Sequence, residues 1–299
     1  MEDTIDLKKI YTQTIDAEWL DKKNTKFDVL RLDKMHEIIS GNKWFKLKYY
    51  LQDAAVKGFD VLATFGGAYS NHIIAMACVC KLQGLKSIGI IRGERPKILS
   101  HTLLLAEQYG MELHFVSRSQ YKNAETLKQG FKNVYWVNEG GYGINGMRGA
   151  KEILQIRIGQ KQYSHIICAV GTGTMMAGII EAVTHNQFVI GISVMKGNDA
   201  LLNNITALVG EEQHKKKYIV VNGYHFGGYA KHPPELIQFM NDTYIQHQLP
   251  TDIVYTSKTF YAVQQMIANN MIAAGSSVLM IHSGGLQGNL SLPLNSLCF

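Results

Sequence analysis

The sequence has few cysteines and few prolines, and it lacks the patterns of several common protein classes. Its four cysteines, Cys78, Cys80, Cys168 and Cys298, are not accompanied by a second Cys or His pair at a metal-binding spacing. Most of them lie in apolar runs, so we expect reduced, buried thiols and no metal site. The 299 residues suffice to bury a core without a disulfide or a metal.

Long apolar runs and a strong charge imbalance are also missing. No apolar stretch is long enough to span a bilayer, and the acidic start, residues 1–4, does not resemble a signal peptide. The formal charge of +6 is spread along the chain, with its densest run at Lys215-Lys216-Lys217, which does not argue for nucleic acid. We therefore expect a cytoplasmic enzyme with a small-molecule substrate and with neither a membrane nor a nucleic acid as partner.

Short apolar segments alternate with helical patterns over most of the chain. The predicted strands are residues 60–65, 87–91, 112–116, 134–137, 165–170, 188–194, 217–221 and 277–281. The predicted helices are residues 71–83, 100–109, 123–129, 147–158, 175–184 and 257–273. This alternation predicts an α/β fold with open, twisted, mostly parallel sheets flanked by helices. A glycine-rich segment, residues 139–146, is interpreted as a domain junction or an active-site loop.

The tripeptide Gly41-Asn42-Lys43 lies where an acidic and apolar stretch gives way to an amphipathic run, residues 44–51. A lysine at such a strand-to-helix junction can be partly desolvated, which favours the neutral amine. A neutral amine can attack an aldehyde and form a Schiff base. One lysine among 30 Lys plus Arg is more often a solvated surface group, so this pattern needs a second signal.

The second signal is a glycine loop, Val170-Gly171-Thr172-Gly173-Thr174, which follows a predicted strand and opens a helix. Glycines allow backbone N–H groups to point at an anion, and the helix N-terminus and threonine hydroxyls assist. Neither a P-loop lysine nor the third glycine of a dinucleotide fingerprint is present, so the loop suits one phosphate. A tight turn explains the same residues about equally well. A phosphate together with an aldehyde indicates pyridoxal phosphate.

Two further segments follow predicted strands. Residues 64–72 include Ser70, which is a plausible helix N-cap and, alternatively, part of a carboxylate site. Residues 254–258 and 281–286 follow later strands, and a tyrosine among Tyr224, Tyr229 and Tyr255 could stack on a flat cofactor ring. These segments lie at the carboxyl ends of predicted strands, where open α/β sheets bind their ligands.

These segments, in this order, resemble the pyridoxal-phosphate-dependent family of 1-aminocyclopropane-1-carboxylate (ACC) deaminases and D-cysteine desulfhydrases. The matches within residues 31–286 are Gly-Asn-Lys with Lys-Leu after it, Gly-Gly-x-x-Ser-Asn-His, Glu-Gly-Gly, Gly-Thr-Gly-Thr-x-x-Ala-Gly, Val-Tyr-Thr-x-Lys and His-Ser-Gly-Gly. The resemblance implies the tryptophan synthase β-subunit class of fold, known as PLP fold type II. It implies a large cofactor domain, residues 1–47 and 151–299, a smaller domain, residues 48–150, and a homodimer.

The resemblance also implies roles for individual residues. Lys43 would form the Schiff base, Asn71 would contact the phenolic oxygen of the cofactor, and Lys43 or Ser70 would remove the Cα proton. The implied cofactor-binding residues are Lys43, Asn71, Gly171, Thr172, Gly173, Thr174, Tyr255 and Thr256. The implied substrate-binding residues are Ser70, Asn71, His72, Tyr229 and Ser283, and the implied catalytic residues are Lys43, Ser70, Tyr229 and Tyr255.

Substrate choice depends on positions at which the family's members differ. ACC deaminases have glutamate where this chain has Thr256 and leucine where it has Ser283, and they often have glutamine where it has His72. A neutral hydroxyl gives a pyridinium no full counter-charge, although it still serves the loss of a β-leaving group. These residues favour α,β-elimination from D-cysteine to pyruvate, sulfide and ammonia.

Two alternatives stay open at this point. One is ACC deaminase activity, which gives 2-oxobutyrate and ammonia. The other is a cofactor-binding protein with little catalytic activity, because several residues depart from the family pattern. The departures are Ala68-Tyr69 before Ser70, Trp44-Phe45 after Lys43, Tyr142 after Glu-Gly-Gly, and Met175-Met176 after the glycine loop.

Overall fold

Two separate sheets organise the computed structural model, which describes residues 5–156, 162–210 and 215–299. The strands are β1 (Thr12–Ile15), β2 (Lys26–Arg31), β3 (Val61–Gly66), β4 (Lys86–Arg92), β5 (Met111–Val116), β6 (Tyr135–Val137), β7 (His165–Val170), β8 (Phe188–Ser193), β9 (Lys217–Val221) and β10 (Ser277–His282). The larger sheet has six strands in the order β1-β2-β10-β7-β8-β9, and the smaller has four in the order β5-β4-β3-β6. All neighbouring strands are parallel except the antiparallel pair β1 and β2.

Helices connect the strands and cover the faces of both sheets. They are α1 (Glu18–Asp21), α2 (Asn42–Val56), α3 (Asn71–Leu82), α4 (His101–Gln108), α5 (Arg118–Tyr121), α6 (Ala124–Lys128), α7 (Ile144–Lys151), α8 (Thr174–Ala182), α9 (Leu201–Thr206), α10 (Pro234–His247) and α11 (Thr256–Ala268). The predicted α/β fold is confirmed, because both parallel-dominated sheets carry helices. No helix in the described part of the chain is long and apolar enough to cross a membrane.

The predicted strands are present with bounds that differ by at most one residue, but some elements were missed. No prediction was made for β1, α1, α5, α9 or α10, and β2 and α2 were implied only by the strand-to-helix junction before Lys43. The predicted helix of residues 147–158 started too late. The α-helical part, α7, runs from Ile144 to Lys151, and residues 157–158 of the prediction lie outside the described residues. The predicted helix 257–273 ends at Ala268, and Asn270 follows with a φ of 57°.

Glycines inside α7 explain why its start was misjudged. A Cβ at Gly146 would lie 2.0 Å from the Gly141 carbonyl oxygen, and one at Gly149 would lie 1.6 Å from the Phe45 carbonyl oxygen. These glycines therefore allow α7 to pack against the neighbouring backbone instead of ending the helix. The predicted domain boundaries, at residues 47/48 and 150/151, fall inside α2 and α7, and the division into two domains stays a prediction.

Trp44 lies between the apolar cores of the two sheets. It is half-buried and packs against the cluster that contains Leu30 and Val170 as well as the cluster that contains Leu47 and Ile73. Burial of a large aromatic surface stabilises such a junction. The unusual residue after Lys43 therefore has a packing role between the sheets.

A buried charged group joins the carboxyl ends of β2 and β10. Arg31 donates from Nε to Asp33 Oδ1 at 2.8 Å and from Nη2 to Asp33 Oδ2 at 2.6 Å, and His282 Nδ1 lies 3.1 Å from Asp33 Oδ1. Burial raises the pKa of Asp33, but His282 and Arg31 outweigh it and leave that pKa below its ordinary value. This pairing explains how a strand that ends in arginine can lie in the interior.

The start of α2 interlocks with the end of β10. Gly41 donates its N–H to the Leu32 carbonyl at 3.0 Å, and Asn42 donates its N–H to the Ser283 carbonyl at 3.2 Å. Gly41 has a φ of 66°, and a Cβ at this position would lie 1.8 Å from the Ser283 oxygen. Only glycine fits this contact, so the first residue of the tripeptide sets the position of the lysine that follows two residues later.

We expect Gly41→Ala to destabilise the protein by about 3 kcal/mol or more, because it adds a backbone clash to an unfavourable φ. Gly58→Ala is the matched control, since Gly58 also has a positive φ, 73°, but has nothing within 4 Å of the added Cβ. The control should cost about 1 kcal/mol. Chemical denaturation measures both, and equal costs would show that the Ser283 contact is unimportant.

Candidate active site

Lys43 lies in the first turn of α2 and faces Tyr255. Its Nζ donates to Asn42 Oδ1 at 2.7 Å and lies 5.8 Å from the centre of the Tyr255 ring. Burial lowers the pKa of Lys43 to about 8, although the Asp252 carboxylate acts in the opposite direction. At pH 7 roughly a tenth of such amines are neutral, far more than for an ordinary lysine. The predicted partly desolvated amine therefore has a geometric basis.

The glycine loop follows β7 and opens α8, with Gly173 as the N-cap residue at a φ of 89°. No side chain caps this helix, and a Cβ at Gly173 would lie 2.7 Å from Ile205 Cγ1. The hydroxyl oxygens of Thr172 and Thr174 are 3.1 Å apart. The loop thus offers backbone N–H groups and two hydroxyls to an anion, as the sequence predicts.

Lys46 is a buried lysine to which the sequence analysis assigned no role. Its Nζ donates to the Gly140 carbonyl at 3.2 Å, and a Cβ at Gly140 would lie 2.7 Å from Thr172 Cγ2. Burial, and next the charge of Lys43, hold the pKa of Lys46 well below its usual range. The described residues give it no carboxylate partner within ion-pair distance. An anion at the glycine loop would favour the charged form of this amine and so could bind it. The sequence signal for Lys46 is its spacing from Lys43 on one helix face.

Ser70 and Asn71 begin α3 at the carboxyl end of β3. The Ser70 hydroxyl oxygen accepts from the N–H groups of His72 at 3.3 Å and Ile73 at 3.4 Å, so it caps the helix. Asn71 is buried, and its Oδ1 accepts from Gln287 Nε2 at 3.0 Å. A Cβ at Gly285 would lie 2.6 Å from Asn71 Nδ2, which places Asn71 against the loop that follows β10. Ser70 therefore caps α3, and its contact with substrate stays a prediction.

The His72 side chain points toward the smaller sheet, where it bonds to Thr64 of β3. Thr64 donates its hydroxyl to the Val137 carbonyl at 2.8 Å, so the same oxygen accepts from His72 Nε2, also at 2.8 Å. Burial, and next Lys43 and Lys46, lower the pKa of His72 to about 3. His72 is therefore a neutral support at neutral pH. Its backbone N–H donates to the Ser70 hydroxyl oxygen in the cap of α3, and its contact with substrate stays a prediction.

Asp252 holds the segment that carries Tyr255 and Thr256, and the sequence analysis missed it. The fully buried carboxylate accepts the N–H groups of Val254 at 2.9 Å, Tyr255 at 2.9 Å and Thr256 at 2.7 Å. It also accepts the Thr256 hydroxyl at 2.7 Å, while the Asp252 N–H donates to that hydroxyl at 2.7 Å. The Thr256 oxygen keeps one free lone pair, and a negative charge lies one hydrogen bond behind it.

Tyr255 and Tyr229 extend the site outward from Lys43. A Cβ at Gly171 would lie 3.5 Å from Tyr255 Cε1, so the Tyr255 ring lies against the glycine loop. The Tyr255 hydroxyl donates to the Tyr229 hydroxyl at 3.4 Å. Burial raises the pKa of both tyrosines, so both hydroxyls keep their protons near neutral pH. Tyr229 is 45% exposed and marks the outer side of this line of residues.

The remaining predicted residues lie around this line. Ser283 is buried and contributes its carbonyl to the start of α2. Tyr69 is 56% exposed, and its ring centre lies 5.9 Å from that of His101. A Cβ at Gly67 would lie 3.7 Å from Arg92 Nη2, which puts an exposed cation near the loop before Ser70. Tyr69 is therefore largely exposed, and its described ring contact is with His101.

A sequence model described as "Pyridoxal-phosphate dependent enzyme" matches residues 5–284. The chain belongs to this family. It is a pyridoxal-phosphate-dependent enzyme, and the cofactor predicted from the sequence is confirmed.

Relatives support the resemblance stated from the sequence. The Thermotoga maritima protein named "Putative 1-aminocyclopropane-1-carboxylate deaminase" is 30% identical over 283 residues, which cover 87% of this chain and 88% of that protein. The Arabidopsis thaliana "Bifunctional D-cysteine desulfhydrase/1-aminocyclopropane-1-carboxylate deaminase, mitochondrial" is 25% identical and covers 84% of this chain and 70% of its own. A crystal structure of an ACC deaminase homologue superimposes with a TM-score of 0.81 at 25% identity, covering 94% of this chain and 90% of that one.

The residues present fit the cofactor of this family. The cradle of Gly171 and Gly173, the uncapped helix α8 and the buried Lys46 suit a phosphate dianion. Lys43 supplies an amine that is easily deprotonated, and Tyr255 lies between this amine and the glycine loop. The aldehyde would thus meet the Lys43 amine, and the phosphate would meet the glycine loop.

We expect Lys46→Met to weaken pyridoxal phosphate binding roughly 10- to 100-fold, because it removes a buried amine that a bound phosphate would hold in its charged form. The control is Lys48→Met on the same helix, since Lys48 pairs with Glu152 and belongs to another face. Titration of the apoenzyme, followed by the visible absorbance of the bound cofactor, measures both affinities. Equal affinities of the two variants would remove Lys46 from the phosphate site.

Proposed function

We propose that this enzyme catalyses α,β-elimination from a small amino acid, with D-cysteine as substrate. Water is consumed, and the products are pyruvate, hydrogen sulfide and ammonia. The observation that carries the reaction type is the Lys43 amine, which has a pKa of about 8 and lies over the Tyr255 ring beside the glycine loop. The two relatives described above support the family of reactions, because their names include ACC deaminase and D-cysteine desulfhydrase.

When bound, pyridoxal phosphate supplies an electron sink for the charge that develops at the substrate Cα. The residues of this chain bind the substrate and move its protons. The start of α3 would hold the carboxylate with its backbone N–H groups and Ser70, and Lys43 Nζ or Ser70 Oγ would take the Cα proton. The bond from Cβ to sulfur then breaks as a double bond forms between Cα and Cβ, sulfur leaves with the electron pair, and Tyr229 or Tyr255 would protonate it.

Thr256 supports the choice of D-cysteine over ACC. The Thr256 hydroxyl, which donates to Asp252, is itself neutral and gives a protonated ring nitrogen no full counter-charge, so the electron sink is weaker than with a glutamate at this position. Opening the cyclopropane ring of ACC demands a strong electron sink, for which the resemblance implies glutamate at this position. Loss of sulfide demands less, because a thiolate is already a good leaving group. Ser283 in place of leucine points in the same direction.

ACC deaminase activity is the second candidate. It is favoured by the names of relatives from Thermotoga maritima and Pyrococcus abyssi, each called "Putative 1-aminocyclopropane-1-carboxylate deaminase". The Asp252 carboxylate behind Thr256 also gives this site more negative charge than a lone threonine would. In this case the products would be 2-oxobutyrate and ammonia.

A cofactor-binding protein with little activity is the third candidate, and the unusual residues around Lys43 are its main support. The structure gives Trp44 a packing role between the sheets, and Tyr69 projects toward solvent. Neither side chain is among the described contacts of the Lys43 amine, so they give this candidate little support. A cytoplasmic location and a homodimer remain part of the proposal, and a mass measurement of the native protein tests the dimer.

Incubation with a panel of D- and L-amino acids and ACC should yield pyruvate and sulfide from D-cysteine at the highest rate. Little 2-oxobutyrate should form from ACC, because Thr256 gives a weaker electron sink than glutamate. Product analysis by chromatography measures all of these products. A higher turnover of ACC than of D-cysteine would replace the proposed function by the second candidate, and a yellow protein inert to the whole panel would favour the third.

Lys43→Ala should abolish the visible absorbance of the bound cofactor and reduce turnover by roughly a thousandfold or more, because the variant lacks the attacking amine. Lys48→Ala, which removes a lysine from another face of the same helix, should keep both. Absorbance spectra and sulfide release measure the two effects. Normal turnover in a folded Lys43→Ala variant would remove this lysine from the mechanism.

A further inference from the structure

Lys258 is a buried lysine with no role in the function described above. It lies in the first turn of α11, and its side chain is fully buried. Its Nζ donates to the His225 carbonyl at 2.9 Å and to the Gly228 carbonyl at 2.8 Å. Both carbonyls belong to the turn that immediately precedes Tyr229. These two hydrogen bonds connect the buried first turn of α11 to the segment that carries Tyr229.

The turn formed by residues 225–228 depends on this connection. Phe226, Gly227 and Gly228 have φ values of 50°, 90° and 132°, so the segment is neither helix nor strand. Within the turn the Gly228 N–H donates to the His225 carbonyl at 3.0 Å, which closes it locally. The Lys258 amine gives the carbonyls of His225 and Gly228 a common anchor on α11. Phe226 also holds the turn, because its ring centre lies 4.9 Å from that of Tyr261 on α11. Removal of the amine would leave this apolar contact and the local bonds, but no polar anchor from α11 for the two carbonyls.

Burying this amine has a cost that packing alone does not require. A charged lysine side chain loses its hydration inside a protein, and an apolar residue of similar length would fill the same space without that loss. Burial lowers the pKa of Lys258 to about 8, while the nearby Asp252 carboxylate partly opposes this. The described residues contain no ion pair of Lys258. Both described hydrogen bonds of the Lys258 amine go to the turn before Tyr229, so holding this turn is the role that its bonds indicate.

The two tyrosines of the site are therefore fixed by two charged residues that flank the start of α11. Asp252 accepts the Tyr255 N–H, and Lys258 holds the turn that leads to Tyr229. The hydroxyls of Tyr255 and Tyr229 meet at 3.4 Å. A shift of the turn by about 1 Å would break this contact, and displacements of that size are costly in active sites.

We propose that Lys258 is a positioning residue for Tyr229. It holds the turn of residues 225–228 so that the Tyr229 hydroxyl stays beside Tyr255 at the outer side of the site. The part of this inference that concerns turnover rests on the proposed function of Tyr229 in substrate binding.

The first test compares Lys258→Met with Lys216→Met. Lys216 is a matched control, because its Nζ also donates to two backbone carbonyls, those of Ile180 at 2.9 Å and Glu181 at 3.2 Å, away from the site. Lys258→Met should keep the cofactor absorbance but lower kcat/KM roughly 10- to 100-fold, mainly through KM. The control should change neither. An unchanged kcat/KM in folded Lys258→Met would overturn the proposal.

A double-mutant cycle with Tyr229→Phe separates positioning from a general structural role. If Lys258 acts through Tyr229, Lys258→Met should cost little further activity once the Tyr229 hydroxyl is gone. Purely additive losses would show that Lys258 acts on the enzyme by another route and would overturn the inference.

Hydrogen exchange gives a readout that does not depend on the substrate. Lys258→Met should speed exchange in residues 222–230 relative to the Lys216→Met control, with the rest of the chain unchanged. If the wild-type enzyme fails to turn over any amino acid, the proposed function fails, and this measurement still decides whether Lys258 holds the turn. Should Lys258→Met not fold, Lys258→Gln, which keeps an N–H donor, takes its place. Failure of both variants to fold would assign Lys258 to the core and contradict the proposal.

Discussion

The hydrogen bond from the Asn42 N–H to the Ser283 carbonyl is the contact on which the active site depends. It joins the start of α2 to the end of β10, and it forms only because Gly41 brings its backbone within van der Waals distance of that carbonyl. The buried Arg31–Asp33–His282 group also joins the ends of β2 and β10 next to this contact. Since Lys43 follows directly in the first turn of α2, this contact sets the position of its amine relative to β7 and the glycine loop.

Three desolvated lysines lie in and behind the candidate site, and each meets a different environment. Lys46 and Lys258 are buried, and Lys43 is half-buried. The pKa of Lys43 falls to about 8, and its described hydrogen bond goes to the neighbouring Asn42. Lys46 has one described carbonyl partner, Gly140, so its amine has further N–H donors that could bind an anion. Lys258 uses two carbonyls and is thereby committed to the turn before Tyr229. Desolvation lowers the pKa of all three. Their different partners are the reason why we propose one as a nucleophile, one as an anion site and one as an anchor.

Sequence patterns could predict only those parts of the candidate site that have a local signature. Gly41-Asn42-Lys43 at a strand-to-helix junction and Gly171 to Thr174 after an apolar strand predicted an amine and a phosphate cradle. The supporting residues have no such signature, because their partners are distant backbone carbonyls. Lys46 bonds to Gly140, 94 residues away, and Lys258 to Gly228, 30 residues away. Spacing alone does not encode such pairs.

Charged residues in buried strands and caps explain the other misses. Strand β2 ends in Arg31, which is buried because Asp33 pairs with its guanidinium. Asp252 has no sequence motif of its own, yet it accepts four hydrogen bonds and fixes Tyr255 and Thr256. For His72, the resemblance implies a substrate contact, which stays a prediction, and its imidazole bonds to Thr64. Burial and partners, and not residue type, decided each of these outcomes.

The most direct test of this account is to find which lysine holds the cofactor. Borohydride reduction of the yellow enzyme fixes the cofactor aldehyde permanently to its amine, and peptide mass spectrometry then locates the added mass. Our account predicts the label on Lys43 alone, because this amine combines a lowered pKa with the position facing Tyr255. A label on Lys46 or Lys258, whose pKa values are also lowered, would contradict it.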